Sequence, residues 1–356
     1  MTFSNPTGKR ARDDYLQRAG PSAPTDPDRP VPLDNPQRLA LTLDSHTALF
    51  MPARFGSSTA CKIVGVPSAS ASPSIAQAGI PGSTILLDGQ TAKVKAIVDS
   101  TILTALRTAA GSVLATQLFL PAGERGPQGG YKVVVFGGGR QAFAHAWLLD
   151  QVYGGEVGTQ VTFVTRKMMN KTELPAIARE FPGVNEEPEP GSVYVGTHPA
   201  KGVTSDDKEA IASLVSEADI VCCCTPSTEP LFRFEDLKRG AHVNMVGSYK
   251  PHMQEVEPDL MRSAAAAGTL LVDSTEACAH EAGDLIKAGI NALQSTDEHI
   301  VKELGAELEQ SSQSSRSTER RVSVFKSVGV GVQDVRIAED IYEAAVRGAI
   351  GSSIPY

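Results

Sequence analysis

Cysteine and aromatic residues are scarce in this chain, and it lacks both a long apolar run and any surplus of positive charge. Each shortage excludes a class. Five cysteines, three of them consecutive at Cys222, Cys223 and Cys224, cannot build a spaced disulfide framework. No Cys or His pair shows zinc-ligand spacing, so no metal is expected. The 33 Lys and Arg stand against 41 Asp and Glu, and a net charge of −8 does not suit a polyphosphate backbone, so nucleic acid is not an expected partner. No apolar stretch approaches the ~20 residues of a membrane span and the N-terminus is polar, so no membrane partner is expected and a cytoplasmic protein is. What is present is ordinary: 356 residues, 41% hydrophobic and 21% charged, enough for two domains with buried cores.

Residues 1–36 carry seven prolines among charges, without an apolar period, and read as a disordered arm. Lys9, Arg10 and Arg12 within it read as a solvated basic patch. From Arg38 to Asp99 short β-rich pieces follow one another between Pro, Gly and Ser, the pattern of an antiparallel sheet built from hairpins. A long helix is expected over Thr101 to Leu120. Beyond the glycines at 126–130, strands (Tyr131 to Phe136, Val161 to Val164, Val193 to Val195, Ile220 to Cys224, His242 to Val246, Leu270 to Asp273) alternate with helices (Arg140 to Val152, Lys171 to Phe181, Lys208 to Glu217, Phe234 to Lys238). That alternation describes an α/β fold with a Rossmann-like, doubly wound parallel sheet. Gln310 to Arg320 reads as an exposed connection, after which Ser323 to Val328 and a helix from Asp334 to Arg347 resume apolar packing. The expected organisation is an arm over 1–36, a discontinuous α+β substrate-binding and dimerisation domain over 37–122 with 321–356, and a nucleotide-binding domain over 123–320.

The sharpest local signal is the strand Lys132-Val133-Val134-Val135-Phe136 running into Gly137-Gly138-Gly139-Arg140-Gln141-Ala142 and then a helix. In a G-x-G-x-x-A turn Gly137 permits the tight bend, Gly139 lets backbone approach a pyrophosphate, and Ala142 allows close packing of helix on strand. The helix start offers unpaired N–H groups to the anion. Thr165, Arg166 and Lys167 end the next strand where an acid would otherwise accept the ribose hydroxyls, so a 2′-phosphate, and hence NADP(H) over NAD(H), is expected.

Seven further segments stand outside that loop: Phe50-Met51-Pro52 with Cys61-Lys62-Ile63-Val64, the helix start Leu103-Thr104-Ala105-Leu106-Arg107-Thr108-Ala109-Ala110, Val324 to Gly329, Ala218 to Val221, Cys224-Thr225-Pro226-Ser227, and Val243 to Ser248. Together with Gly137 to Ala142 they resemble the ornithine cyclodeaminase and mu-crystallin family over about Arg38 to Gly348. The resemblance implies a homodimer with a Rossmann domain and a substrate domain, acting on amino acids or cyclic imines with a nicotinamide cofactor. It places Arg38, Lys62 and Arg107 in the substrate pocket, and Thr108, Thr225, Ser327, Val328 and Gly329 near the cofactor. The residues' own chemistry agrees: a guanidinium grips the carboxylate of an α-imino acid bidentately, and Lys62 in an apolar strand is costly unless it faces something polar. Lys62 and Arg107 are therefore the expected catalytic residues. The bland readings are a surface arginine and an edge-strand lysine.

One departure bears on the reaction. Aligning Pro251 and Glu255 puts Tyr249 where the cyclodeaminase and alanine dehydrogenase branches carry an Asp, and losing that acid–base group argues against the multistep ornithine cycle. Reduction of a protonated C=N bond asks less, so an imine or ketimine reductase is expected, ahead of a cyclodeaminase or amino-acid dehydrogenase and of a non-catalytic binding protein. Arg140, at a loop position more often small or apolar, is a further candidate for the cofactor phosphates. Asp273, Glu276, Glu281 and Asp284 read as a solvated acidic face, Cys222 to Cys224 as small buried strand residues, and His145 as a packed histidine.

Overall fold

Alternation with period two dominates the first part of the chain, and residues two apart on a strand share a face. The strands it produces are β1 (Leu33–Asp34), β2 (Leu39–Thr42), β3 (His46–Phe55), β4 (Ser58–Pro67), β5 (Gly82–Leu87) and β6 (Val94–Asp99). The computed structural model describes residues 32–354 apart from 69, 73, 75–79, 122–129, 155–158, 167–180, 182–192, 196–197, 297–299 and 311–320, with 193–195, 198–200 and 310 described in backbone only. The chain divides into two compact units, one reaching Arg107 and resuming at Val330, the other Thr108–Gly329.

The first unit is an antiparallel sheet in the order β1-β3-β4-β5-β6, with β2 also paired to β3. Leu33 pairs with Phe55, so the end of the expected arm is a sheet strand, while residues 1–31 lie outside those described. Along β4 the burial alternates strictly, putting Ala60, Lys62, Val64 and Val66 on the inner face. Helix α8 (Gly331–Gly348) covers this sheet, its Val335 packing with Ala53, Ala60 and Leu86. Gly331 is needed for that approach: a Cβ there would stand 3.1 Å from the Ala53 Cβ and 3.2 Å from the Met51 carbonyl oxygen.

The second unit holds a nine-stranded sheet in the order β14-β13-β15-β12-β11-β7-β8-β10-β9. Its strands are β7 (Lys132–Phe136), β8 (Gln160–Thr165), β9 (Val193–Val195), β10 (His198–Thr204), β11 (Ile220–Cys223), β12 (His242–Met245), β13 (Leu270–Val272), β14 (Val301–Glu303) and β15 (Ser323–Lys326). All neighbours are parallel except β9 and β10. β11, β12, β13 and β15 are buried at every residue, as strands covered on both faces must be. The helices are α2 (Arg140–Tyr153), α3 (Lys208–Glu217), α4 (Pro258–Ala266), α5 (Thr275–Glu281), α6 (Gly283–Lys287) and α7 (Leu304–Gln310). Helix α1 (Thr101–Phe119) carries the division between units at Arg107. By length and composition α1 could cross a membrane, yet Ala105, Ala109, Val113 and Ala115 are buried inside the protein.

The division falls elsewhere than the expected bounds. Ser323–Lys326 pairs in parallel with β12 and β13, so this strand belongs to the nucleotide-type sheet and the return to the first unit comes after Gly329 rather than at 321. The second unit likewise begins at Thr108, not after 122. The expected helix over Lys171 to Phe181 lies outside the described residues apart from Phe181.

Candidate active site

Lys62 is not an edge residue. It lies on β4 between β3 and β5, opposite Met51 and Thr84, and is 1% exposed. Its ammonium meets the Asp334 carboxylate, Nζ to Oδ2 at 2.8 Å. The other oxygen of Asp334, Oδ1, stands 3.2 Å from Nε of Arg107, and Nη1 of Arg107 donates to the Gln333 Oε1 at 2.7 Å. Arg107 and Asp334 are themselves buried. Burial pushes the Lys62 ammonium down to about 7, the charge of Arg107 and more weakly that of Arg38 push the same way, and Asp334 opposes them. Arg38, half-buried ahead of β2, is thus within electrostatic reach of Lys62. The first unit therefore brings Lys62 and Arg107 together on one carboxylate, with Arg38 within electrostatic reach, and adds two residues that sequence reasoning missed, Gln333 and Asp334. A signal for Asp334 existed: Gly331, Asp334, Val335 and Ala338 form the buried stripe of α8 at spacings of three and four, and an acid on such a stripe needs a partner.

In the second unit β7 and β11 are neighbours while the chain leaving β7 returns at β8 on the other side, the strand-order reversal at which doubly wound sheets bind ligands. Gly137 opens the turn there with φ +122°, and a Cβ on it would meet the Cys224 carbonyl oxygen at 2.9 Å. At Gly139 an added Cβ meets nothing within 4 Å among the described residues, which leaves room beside the backbone. Gly139 caps α2 in extended conformation, at the helix end whose dipole favours an anion. Ala142 is buried and lies 3.4 Å from the Gly137 Cβ position, the close packing the motif requires. These features fit a dinucleotide: Gly137 to Ala142 would hold its pyrophosphate.

The rim of that turn is pre-tied. Glu255, fully buried, accepts from the Thr225 N–H (2.8 Å) and hydroxyl (3.1 Å) with one oxygen, and from the Gly247 (2.8 Å) and Ser248 (3.0 Å) N–H groups with the other. Burial raises the Glu255 carboxyl above its ordinary range, and Lys326 opposes that. The expected cofactor residue Thr225 thus points its donors at Glu255. Ser327, Val328 and Gly329 likewise give their hydroxyl and N–H groups to Asp273 Oδ2, at 2.7, 3.1 and 2.7 Å. Neither acid was singled out for this role: Asp273 lies 54 to 56 residues from its donors, and Glu255, though near Gly247 and Ser248, reaches Thr225 across 30 residues.

Thr165 is half-buried at the end of β8, Arg166 is exposed, and Lys167 lies outside the described residues. Arg140 and Gln141 are half-buried in the first turn of α2, and Thr108 is buried in α1. The supposed acidic face is not solvated throughout: Asp284 is buried and accepts from the N–H groups of Glu255 and Val256. No cluster of His, Cys, Asp and Glu able to hold a metal occurs among the described residues. His145 is packed as expected. Its Nδ1 donates to the Gln141 carbonyl at 2.7 Å, Nε2 accepts from Ser112 at 2.8 Å, and burial keeps it neutral with its pKa near about 4. Cys222 and Cys223 are fully buried, and Cys224 is partly so.

A glycine turn at the strand-order reversal of a parallel sheet, in one chain with a buried and net-cationic cluster, defines a Rossmann-type oxidoreductase that uses a nicotinamide cofactor. The chain belongs to the ornithine cyclodeaminase/mu-crystallin family, whose profile matches residues 32–178 and 203–349. A Delta(1)-pyrroline-2-carboxylate reductase of Bacillus thuringiensis is 31% identical over 316 residues, 88% of this chain and 86% of that protein. The ketimine reductase mu-crystallin of Mus musculus is 29% identical over 266 residues, 75% of this chain and 70% of its own length. Among solved structures, the Thermococcus litoralis Delta(1)-pyrroline-2-carboxylate reductase in complex with NADH and L-proline superposes with a TM-score of 0.69 at 22% identity, covering 99% of this chain and 97% of the other.

Proposed function

We propose that this protein reduces a small cyclic imino acid, a ketimine of the pyrroline-2-carboxylate class, and that it prefers NADP(H). The observation that carries the reading is a charge imbalance. Lys62 and Arg107, both buried, share a single carboxylate, so whenever Lys62 is protonated the cluster carries a positive surplus that an anion offsets. The carboxylate of an imino acid is such an anion, and the uncommitted terminal N–H groups of Arg107 suit it. When bound, the reduced nicotinamide supplies a hydride to the carbon of the C=N bond. Lys62 gives its proton to the imine nitrogen: an N–H bond of the ammonium breaks, one forms on the product amine, and the neutral Lys62 is reprotonated from solvent. An ammonium poised at about 7 suits that transfer at neutral pH. Arg107 holds the acid in one orientation, and Arg38 adds to the positive field.

For the cofactor, Gly137, Gly139 and the α2 start with Arg140, Gln141 and Ala142 take the pyrophosphate, and Thr165, Arg166 and Lys167 take the 2′-phosphate. Support for a homodimer comes from β2, where Leu39 and Leu41 are 59% and 51% exposed and would be covered by a second copy. The test is spectrophotometric: NADPH and NADH oxidation with pyrroline-2-carboxylate and piperideine-2-carboxylate. Turnover with the cyclic imines is expected, faster with NADPH. Release of proline and ammonia from ornithine without imine reduction would replace this reading with a cyclodeaminase, and a lower KM for NADH would reverse the cofactor preference.

A further inference from the structure

We propose that Asp334 is a positioning residue of this site, acting through Lys62 and Arg107: its shared carboxylate fixes the two cations at separate stations and supplies the counter-charge that lets Lys62 carry a proton to the imine. The inference rests on the reductase reading and adds to it the residue that makes a buried lysine usable.

The geometry is that of a divider. Each carboxylate oxygen serves one cation, Oδ2 facing Lys62 at 2.8 Å and Oδ1 facing Arg107 at 3.2 Å, and all three groups are buried. Asp334 reaches this place because Gly331 lets the start of α8 close on β3, and because three residues of helix turn Asp334 onto the same buried stripe. An ammonium has three donors and a guanidinium five. Nε of Arg107 faces Asp334 across an ion-pair contact and one Nη1 hydrogen goes to Gln333, so the guanidinium edge away from Asp334 is the one left for a substrate carboxylate among the described residues. Asp334 thus decides which edge of Arg107 receives a substrate carboxylate.

The electrostatics point the same way. The charged groups that act on Lys62 are Arg107 from α1, Asp334 from α8 and Arg38 from the segment before β2, while its strand neighbours Met51 and Thr84 are uncharged. Burial and both arginines disfavour the ammonium, and Asp334 favours it. Removing that charge leaves two or three cations facing one another in a buried place, and the lysine is the one that can lose its proton.

The test follows the Lys62 titration by NMR on the full chain carrying 13C-labelled lysine, with the resonance assigned by its loss in Lys62→Met. The wild-type midpoint is expected near neutrality, and Asp334→Asn should lower it by about one to three pH units. The high-pH limb of kcat/KM with pyrroline-2-carboxylate should move down by the same amount, and Asp334→Glu should restore both. A merely structural Asp334 would reduce kcat/KM at every pH and leave the Lys62 midpoint in place, which would overturn the proposal. If Asp334→Asn does not fold, Arg107→Met probes the same sharing from the other side: the midpoint rises once the carboxylate serves one cation, and an unmoved midpoint is again fatal. Gln333→Leu is the control, expected to leave Lys62 unchanged. The titration needs no substrate. A coupled midpoint in a protein that reduces no cyclic imine sinks the reductase reading while supporting the Asp334 pairing, and an uncoupled one in an active reductase does the reverse.

Discussion

Two buried lysines, one in each unit, sit in apolar strands and resolve their charge in opposite ways. Lys62 on β4 and Arg107 share one carboxylate, whereas Lys326 on β15 lies 3.7 Å from Asp284 and within the field of Glu255, so one cation faces two carboxylates. The negative surplus around Lys326 is settled internally. Asp284 collects two backbone N–H groups, and Glu255 collects three together with the Thr225 hydroxyl. No comparable set of backbone carbonyls closes on Lys62 or Arg107 among the described residues. A buried surplus that backbone already neutralises holds a structure together; one left to side chains alone is a place for a ligand.

The comparison breaks most visibly if the two lysines behave alike. Lys62→Met is expected to lower kcat/KM by about 10³-fold, roughly 4 kcal/mol of transition-state binding, with the fold retained. Arg107→Met should act similarly, and a variant within tenfold of wild type would remove Lys62 from the chemistry. Lys326→Met should do the converse, losing about 3 kcal/mol of stability in urea unfolding because two buried carboxylates lose their cation. Unchanged stability there would mean that the backbone donors suffice. A third measurement sharpens the contrast. The folded Lys62 releases its proton near about 7 while the unfolded chain keeps it to the ordinary lysine value, so between those limits the unfolded state binds one proton more and stability rises with pH. The difference between wild type and Lys62→Met should therefore slope by about 1.4 kcal/mol per pH unit in that window and flatten below it; a flat difference throughout would show an ammonium of ordinary strength. Smaller still, Arg166→Ala should raise the KM for NADPH about tenfold and leave that for NADH unmoved, the expected loss of one phosphate contact. Tyr249→Phe should change kcat/KM by no more than about threefold, since Lys62 and not the phenol handles the proton; a larger loss would give Tyr249 the role of the missing acid.

Much of the architecture was legible because its signals are periodic. The short β-rich pieces expected between Arg38 and Asp99 form strands, with β3 and β4 running to ten residues each, and the apolar run of β7 and the glycine turn after it state their conformation locally. Segments without such a period escaped. β10 reads His198-Pro199-Ala200-Lys201-Gly202-Val203-Thr204, too polar and too rich in Pro and Gly for a strand assignment, and it forms through pairing with β8. Helices α4 to α7 are short, and α4 carried only Pro258 at its start as a marker. At the site the split is sharper. Lys62 and Arg107 were found because an apolar strand and a family helix start mark them, but Asp334 lies 227 residues beyond Arg107 and only the docking of α8 on β3 and β4 brings the two together. Where Ser323–Lys326 belongs was likewise undecidable from its own composition: four buried residues suit either sheet, and hydrogen bonding to β12 and β13 settles it.

Glu255 has a kinetic consequence. By tying Thr225 to Gly247 and Ser248 through four hydrogen bonds, it sets the edge of the nucleotide turn before any ligand arrives. If the protein is the reductase proposed above, oxidised coenzyme must leave and reduced coenzyme enter once per cycle, and a mouth tied in advance loses little conformational freedom at each exchange. Turnover can then be paced by departure of the spent coenzyme rather than by reassembly of the surface that receives its successor.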